Sequence, residues 1–357
     1  MSEHLSTGDQ VPPVTAARLG AQGLAGPPSH DPVTVVRRLL AVQAQDLRGA
    51  RLAIRTRSTG LTADDVDRAL TDDRSLLITW LNRGTLHLIA AEDYWWLHPL
   101  TTPQLARANA RRLEQEGVSP AQADAGVDVV REAVETAGPQ TRARLRQRLD
   151  SAGIPTARQA LVHVLMAATL RGDMVRGPMV AGEHAFVAAR DWLGAPPEPL
   201  TRSAALTRLA RRYLVGHGPA DARDLAKWAG ITLGDARLGL QGLVAELADR
   251  DDGLVDLADR APTGELPGPR LLGPFDPLLL GWVSRAAIVG RHQHVVTTNG
   301  LFRPVALVDG HVVATWGLAG GVVSVRPLEV LSPAVASALD REATDVLRFV
   351  AGKCTVT

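Results

Sequence analysis

Apolar residues recur at helical spacing through most of the chain and alternate at strand spacing only in short stretches, which predicts a mainly α protein with small β elements. Thr15 to Leu24 reads as a first helix. Asp31 followed by Pro32 is an N-cap with proline at the first helical position, opening a helix to about Val42. A third helix is expected from Leu47 to about Arg57, and a short one over Thr62 to Leu70. Leu76 to Trp80 and Thr85 to Ile89 are β-rich and flank Asn82-Arg83-Gly84, the signature of a hairpin. Glu92 to Glu116 returns to a helical pattern.

The order then repeats loosely. After Gly138-Pro139 come a helix over Thr141 to Ser151, a turn at Gly153, a helix from about Ala157 to Leu170, and a strand over Met174 to Val180. After Gly218-Pro219 come a helix over Asp221 to Trp228, a turn at Gly230, a helix from about Leu233 to Leu247, and a strand at Leu254 to Leu257. Helix, glycine turn, helix and short hairpin is the order of a helix-turn-helix followed by a β wing. Three tandem winged-helix units are therefore expected at residues 14–116, 117–198 and 199–262. Beyond about Pro262 proline and glycine become dense and helical periodicity disappears. Short strands are predicted at Val295 to Thr298, Pro304 to Val308, His311 to Trp316 and Val322 to Val325, closed by a helix over Ala334 to Val350. Residues 263–357 are read as a small β-barrel domain with that closing helix.

Composition narrows the class. A hydrophobic fraction of 45% with 22% charged residues is that of an ordinary globular chain with enough length, at 357 residues, for several cores. The polar start, Met1 to Pro13, has no apolar signal-peptide core, and no apolar run approaches the ~18 residues a bilayer requires. Cys354 is the one cysteine, which excludes an internal disulfide framework and a thiolate metal cluster. A cytoplasmic, monomeric protein is the expectation. The net charge of +1 decides nothing, but arginine supplies nearly all the positive charge, the lysines being Lys227 and Lys353. A GC-rich genome explains such a bias in general. It does not explain clusters at Arg37, Arg38, Arg48, Arg51, Arg55 and Arg57, at Arg107, Arg111 and Arg112, and at Arg142, Arg144, Arg146 and Arg148, which are candidates to line a polyanion groove.

Gln43 and Gln45, in Ala41-Val42-Gln43-Ala44-Gln45-Asp46, lie between two predicted helices beside the first arginine cluster. On an extended backbone their side chains point the same way. Alone, a Gln-x-Gln is a solvated turn more often than a site. In the same chain stand Trp80-Leu81-Asn82-Arg83-Gly84-Thr85-Leu86-His87, Gly218-Pro219, Lys227-Trp228-Ala229-Gly230 and Phe275-Asp276-Pro277-Leu278-Leu279-Leu280-Gly281. Together, from about residue 14 to 330, these segments resemble the AlkZ/YcaQ family of winged-helix DNA glycosylases. The resemblance implies a C-shaped molecule around duplex DNA and a cofactor-free, monofunctional glycosylase for bulky or crosslinked N7-alkylguanine. It implies that Gln43 and Gln45 match the catalytic Gln-x-Gln of members that protect antibiotic producers from their own alkylating products. An N7-alkylated guanine is already cationic and leaves without an acid, so a neutral amide that places the attacking water suffices.

Arg48, Arg51, Arg83, Thr85, His87, Arg142 and Arg144 are the DNA-binding candidates. Each has a plainer reading: Arg83 as a solvated hairpin tip, His87 as a structural histidine. Tyr94-Trp95-Trp96 reads as core packing, with base stacking the alternative, and Asp276 as a turn residue. His292 and His294 offer two ligands on one strand face but no third, so no metal is expected. The rival reading is a DNA-binding protein without catalysis, a regulator or architectural factor.

Overall fold

The computed structural model describes residues 11–352; Cys354, Lys353 and the first ten residues lie outside them. Most helices form where their caps predict. Asp31 accepts the backbone amides of Val33 and Thr34 and starts a helix over Pro32–Leu39, which ends at Leu40 in a positive-φ conformation. Leu47–Thr56 and Ala63–Thr71 follow, then Arg142–Ser151 and Ala160–Arg171, Ala222–Ala229 and Leu233–Gln241. The stretch predicted as one helix over Glu92 to Glu116 divides into Tyr94–Thr101 and Pro103–Gln115. Pro103 has no amide to continue the ladder, and the His98 carbonyl accepts both the amide and the hydroxyl of Thr102. Helices over Pro120–Ala137 and Arg202–His217 complete the packing between repeats.

The hairpins do not stand apart as three wings. Strands β1 (Val42–Gln43), β2 (Leu76–Leu81), β3 (Thr85–Ala90), β4 (Met174–Val180) and β5 (Glu183–Ala188) form a single antiparallel sheet in the order β1-β3-β2-β4-β5, joined across the repeats where Ile78 faces Arg176. The reason lies in β2, which is buried at all six positions. Its Leu76, Ile78 and Trp80 enter one apolar core while Leu77 and Leu81 enter another, so the strand reads as a continuous apolar run and needs partners on both edges. Only β6 (Leu247–Asp249) and β7 (Val255–Leu257) remain a separate two-stranded ribbon.

The C-terminal strands correct the barrel expectation. β8 (Arg270–Leu272), β9 (Val305–Val308), β10 (His311–Ala319) and β11 (Val322–Pro327) make an open antiparallel sheet in the order β11-β10-β9-β8. The helix Pro333–Ala351 packs on β8 and β11, so a helix covers the sheet where closure on itself was expected. The segment predicted as a strand at Val295 to Thr298 begins in a 3-10 turn, Gln293–Val295, that also carries His294. Both cores cross the repeat boundaries: Leu271, Ala314 and Phe349 join the first, Leu272, Val305 and Leu278 the second.

One ion pair ties these parts together. Arg57, 1% exposed, forms a bidentate pair with Asp276, which is fully buried. Its remaining N–H groups donate to the Ala53 carbonyl and to the carbonyl and side-chain oxygen of Gln22, so all five donors are used. Asp276 also caps Pro277–Leu280 by accepting the Leu278 amide. Removing one partner strands a buried charge, so Arg57→Met or Asp276→Asn is expected to lower unfolding stability by about 3–5 kcal/mol in denaturant titrations. The double variant Arg57→Met/Asp276→Leu is expected to cost less than either single change added to the other.

Candidate functional site

The paired glutamines sit at the end strand of the five-stranded sheet. β1 is a two-residue strand held between the turn at Leu40 and Asp46, which caps the next helix by accepting the Gly49 amide. Val42 lies opposite Leu88 and Gln43 opposite His87. The Ala44 amide donates to the Leu86 carbonyl at 2.7 Å. The ladder ends there because the Gln45 side-chain oxygen, 3.3 Å away, accepts the Leu86 amide in place of a strand partner. The two side chains therefore part company. Gln43 is 8% exposed, on the face that carries His87 and Thr79, and makes no side-chain hydrogen bond among the described residues. Gln45 is exposed and borders a cavity of about 340 Å³ bounded by Ala44, Ile78, Leu86 and Phe186 from the opposite face.

His87 is buried, and its ring Nδ1 lies 2.9 Å from the Thr85 carbonyl. A carbonyl can only accept, so Nδ1 carries the proton and Nε2 presents a lone pair. Burial, reinforced by the Arg83 guanidinium, pushes the His87 pKa down to about 3, so the ring is neutral at physiological pH. Its neighbour Thr79 and the adjoining Asn82 and Thr85 bury side-chain polar atoms with no partner among the described residues.

The arginines divide by whether they have a carboxylate. Arg37 pairs with Glu92, Arg51 with Asp67, Arg55 with Glu342 and Asp345, and Arg57 with Asp276, so only Arg38 and Arg48 of the first cluster have no carboxylate among the described residues. Arg51 borders the Gln45 cavity with its Nε 2.9 Å from Asp67. Arg142 and Arg176 share that cavity. Arg176, absent from the sequence-based candidates, lies 4.4 Å over the Phe186 ring and 5.2 Å from that of Trp80. Burial, then Arg142, lowers its pKa to about 10. Arg48 is exposed and donates to the Leu318 carbonyl on β10, while Arg144 borders a different hollow with Arg148 and Gln140. The sequence candidates are thus not one patch: Gln45, Arg51 and Arg142 come together, and Arg144 does not join them.

At the hairpin tip Arg83 donates to the Trp228 carbonyl at 2.9 Å. This docking requires Gly230, which adopts φ +68 and has no side chain: a β-carbon there would strike the Asn82 carbonyl. Thr85 follows the tip, facing Leu81. Tyr94 and Trp96 are buried in the second core, as core packing requires, and the Trp96 indole donates to Asp93.

The family described as AlkZ-like DNA glycosylases matches residues 36–349, nearly the whole described chain. The chain belongs to this family of DNA glycosylases. A curated protein of Streptomyces sahachiroi, named as an interstrand DNA cross-link repair glycosylase, is 28% identical over 347 residues, covering 88% of this chain and 89% of its own length. The solved structure of the Streptomyces sahachiroi DNA glycosylase AlkZ is 26% identical, with a TM-score of 0.77 over 95% of this chain and 96% of that one. As a member of this family the protein is an enzyme, and its fold is that of AlkZ. Among the described residues no helix is long and apolar enough to cross a membrane.

Three buried histidines bear on stability. His87 and His217 are held near pKa 3 and His98 near 4, chiefly by burial, against an ordinary value of 6.5. The unfolded chain takes up protons as pH falls below 6.5 while the folded chain does not, so stability is full above that pH and drains away towards the folded values. Thermal unfolding recorded across pH is expected to show stability falling, by up to about 1.4 kcal/mol per pH unit for each histidine, and His98→Gln is expected to flatten the slope.

Proposed function

We propose that the protein is a monofunctional DNA glycosylase that removes bulky or crosslinked N7-alkylguanine from duplex DNA, in defence against a genotoxic natural product. The observation that carries this reading is the pair of uncharged amides at the end strand of the sheet: buried Gln43 with both amide atoms free of protein partners among the described residues, and exposed Gln45 with its NH2 group left over. The relative named for interstrand cross-link repair supports the bulky end of the substrate range. So does the open setting of Gln45, beside a cavity and not inside a closed base pocket.

In this mechanism the bond between the sugar C1′ and guanine N9 breaks first. The electron pair stays with the base, whose N7 cation is neutralised as it leaves. The sugar is left as an oxocarbenium ion. The Gln43 oxygen accepts a hydrogen bond from a water and holds it against C1′, while the Gln45 NH2, on the other face of the strand, donates to a neighbouring phosphate. As the C–O bond forms, the proton passes to bulk water. No side chain needs to ionise, because positioning and electrostatics carry the rate. A winged-helix arrangement with a C-shaped opening fits the same reading, since a duplex must reach the sheet edge.

The test is incubation of the purified protein with duplexes carrying a simple or a bulky N7-guanine adduct, followed by heating in alkali. Strand breaks at the adduct are expected. Gln43→Ala and Gln45→Ala are each expected to slow single-turnover excision by about 10- to 100-fold, the scale of losing one positioned hydrogen-bonding group, with DNA affinity little changed. Unchanged excision in Gln45→Ala removes that residue from the mechanism. The rate is expected to be flat from about pH 6 to 9, because glutamine does not titrate and His87 titrates near 3. A profile that bends near neutral pH points to a general base instead.

A further inference from the structure

About half of the arginines among the described residues spend their charge on a neighbouring carboxylate. Three cations near the hairpin tip do not. Arg83, Lys227 and Arg285 form no ion pair among the described residues, although they come from three separate parts of the chain: the β2–β3 tip, the end of the Ala222–Ala229 helix and the loop before β9. Backbone carbonyls hold each in place. Arg83 Nη1 donates to Trp228, the residue after Lys227. Lys227 Nζ donates to Val283 at 3.1 Å, two residues before Arg285. Arg285 Nε donates to Leu279 at 3.2 Å, with its guanidinium 5.0 Å from the Phe302 ring. The chain of contacts runs without a break from one cation to the next.

The charges feel one another. Burial and then Arg285 lower the Arg83 pKa, while Lys227 is lowered by burial, then Arg285, then Arg83. The carboxylate in reach is Asp224, which already accepts the Val283 amide and pairs with Arg18. Three like charges fixed on carbonyls, without a counter-ion, cost free energy in the isolated protein. Each keeps unused donors: two on the Lys227 ammonium and the η nitrogens of Arg285, with Arg83 left its Nε and one η nitrogen. Forked and point-like cations together are the donor set for phosphodiester oxygens. Arg83 stands at the tip of the hairpin whose His87 faces Gln43, so the cluster lies on the hairpin that carries the Gln43 strand.

We infer that Arg83, Lys227 and Arg285 form a clamp on the phosphodiester backbone of duplex DNA, holding the strand whose sugar is presented to Gln43. This rests on the duplex-DNA reading above. The clamp joins the first, third and C-terminal segments only when folded, and DNA supplies the missing negative charge.

The test is equilibrium binding of the whole protein to an undamaged duplex, by fluorescence anisotropy over a salt series. Each neutralised cation is expected to make the slope of log affinity against log salt shallower by about 0.9. Lys227→Gln, an exposed change, and Arg285→Gln should each show this; the control Arg37→Gln, whose charge Glu92 already balances, should keep the parent slope. Parent slopes in both Lys227→Gln and Arg285→Gln overturn the clamp. So does calorimetric binding of inorganic phosphate to the parent, lost in Lys227→Gln, with no change in the DNA slope, which marks a small-anion site instead. Excision of N7-alkylguanine by the parent protein is measured alongside. A clamp that survives while excision fails sinks the glycosylase substrate reading alone, and excision with unaltered slopes sinks the clamp alone.

Discussion

The buried pair between Arg57 and Asp276 is the constraint on which the arrangement of the chain depends. It lies where the helix Leu47–Thr56 ends, below the glutamine strand, and it takes hold of the loop that leads from the C-terminal sheet. Gln22, at the end of the first helix, supplies two further acceptors. Such a pair gives little net stabilisation compared with an apolar substitute, because two charges must leave water. What it provides is registry. A guanidinium with five satisfied donors tolerates one geometry, and that geometry sets the N-terminal helices against a segment more than two hundred residues later.

The sheet then does the positioning. Two apolar cores clasp it from opposite faces, so its strands have no freedom to slip by one residue without turning both sets of side chains over. The edge strand β1 inherits that rigidity through Val42 and Ala44, and the chain emerges from it at the exposed Gln45. Chemistry placed on such an edge is held by a scaffold yet reachable by a large ligand. In the proposed mechanism uncharged amides beside a neutral histidine orient water and do not take its proton, which suits only a substrate that brings its own leaving-group activation.

Electrostatics follow the same division. Arginines that hold elements together are matched with carboxylates and removed from any role in long-range attraction. Of those left unmatched, Arg142 and Arg176 border the cavity beside Gln45, and Arg83 and Arg285 lie with Lys227 near the hairpin tip. A net charge of +1 therefore says little about these local groups of cations.

Much of the local structure was legible in the chain. Asp31-Pro32, Thr141 and Asp221 announce helix starts, and the apolar runs on either side of Asn82-Arg83-Gly84 announce a hairpin, because caps and turns are satisfied by residues a few positions apart. The Gln-x-Gln and its companion motifs were legible for the same reason, and they pointed to the family. What depends on partners distant in sequence was not. No periodicity says that β2 pairs with β4, that the C-terminal strands stay open under a helix, or which arginines meet a carboxylate. Lys227 and Arg285 carried no signal of their own, since their significance is that nothing neutralises them, and that is a property of the folded surface. The chain itself determines its elements and its family motifs through short-range geometry, while only the tertiary structure decides which charges are cancelled and which remain for a partner, because that balance is struck between residues the chain brings together last.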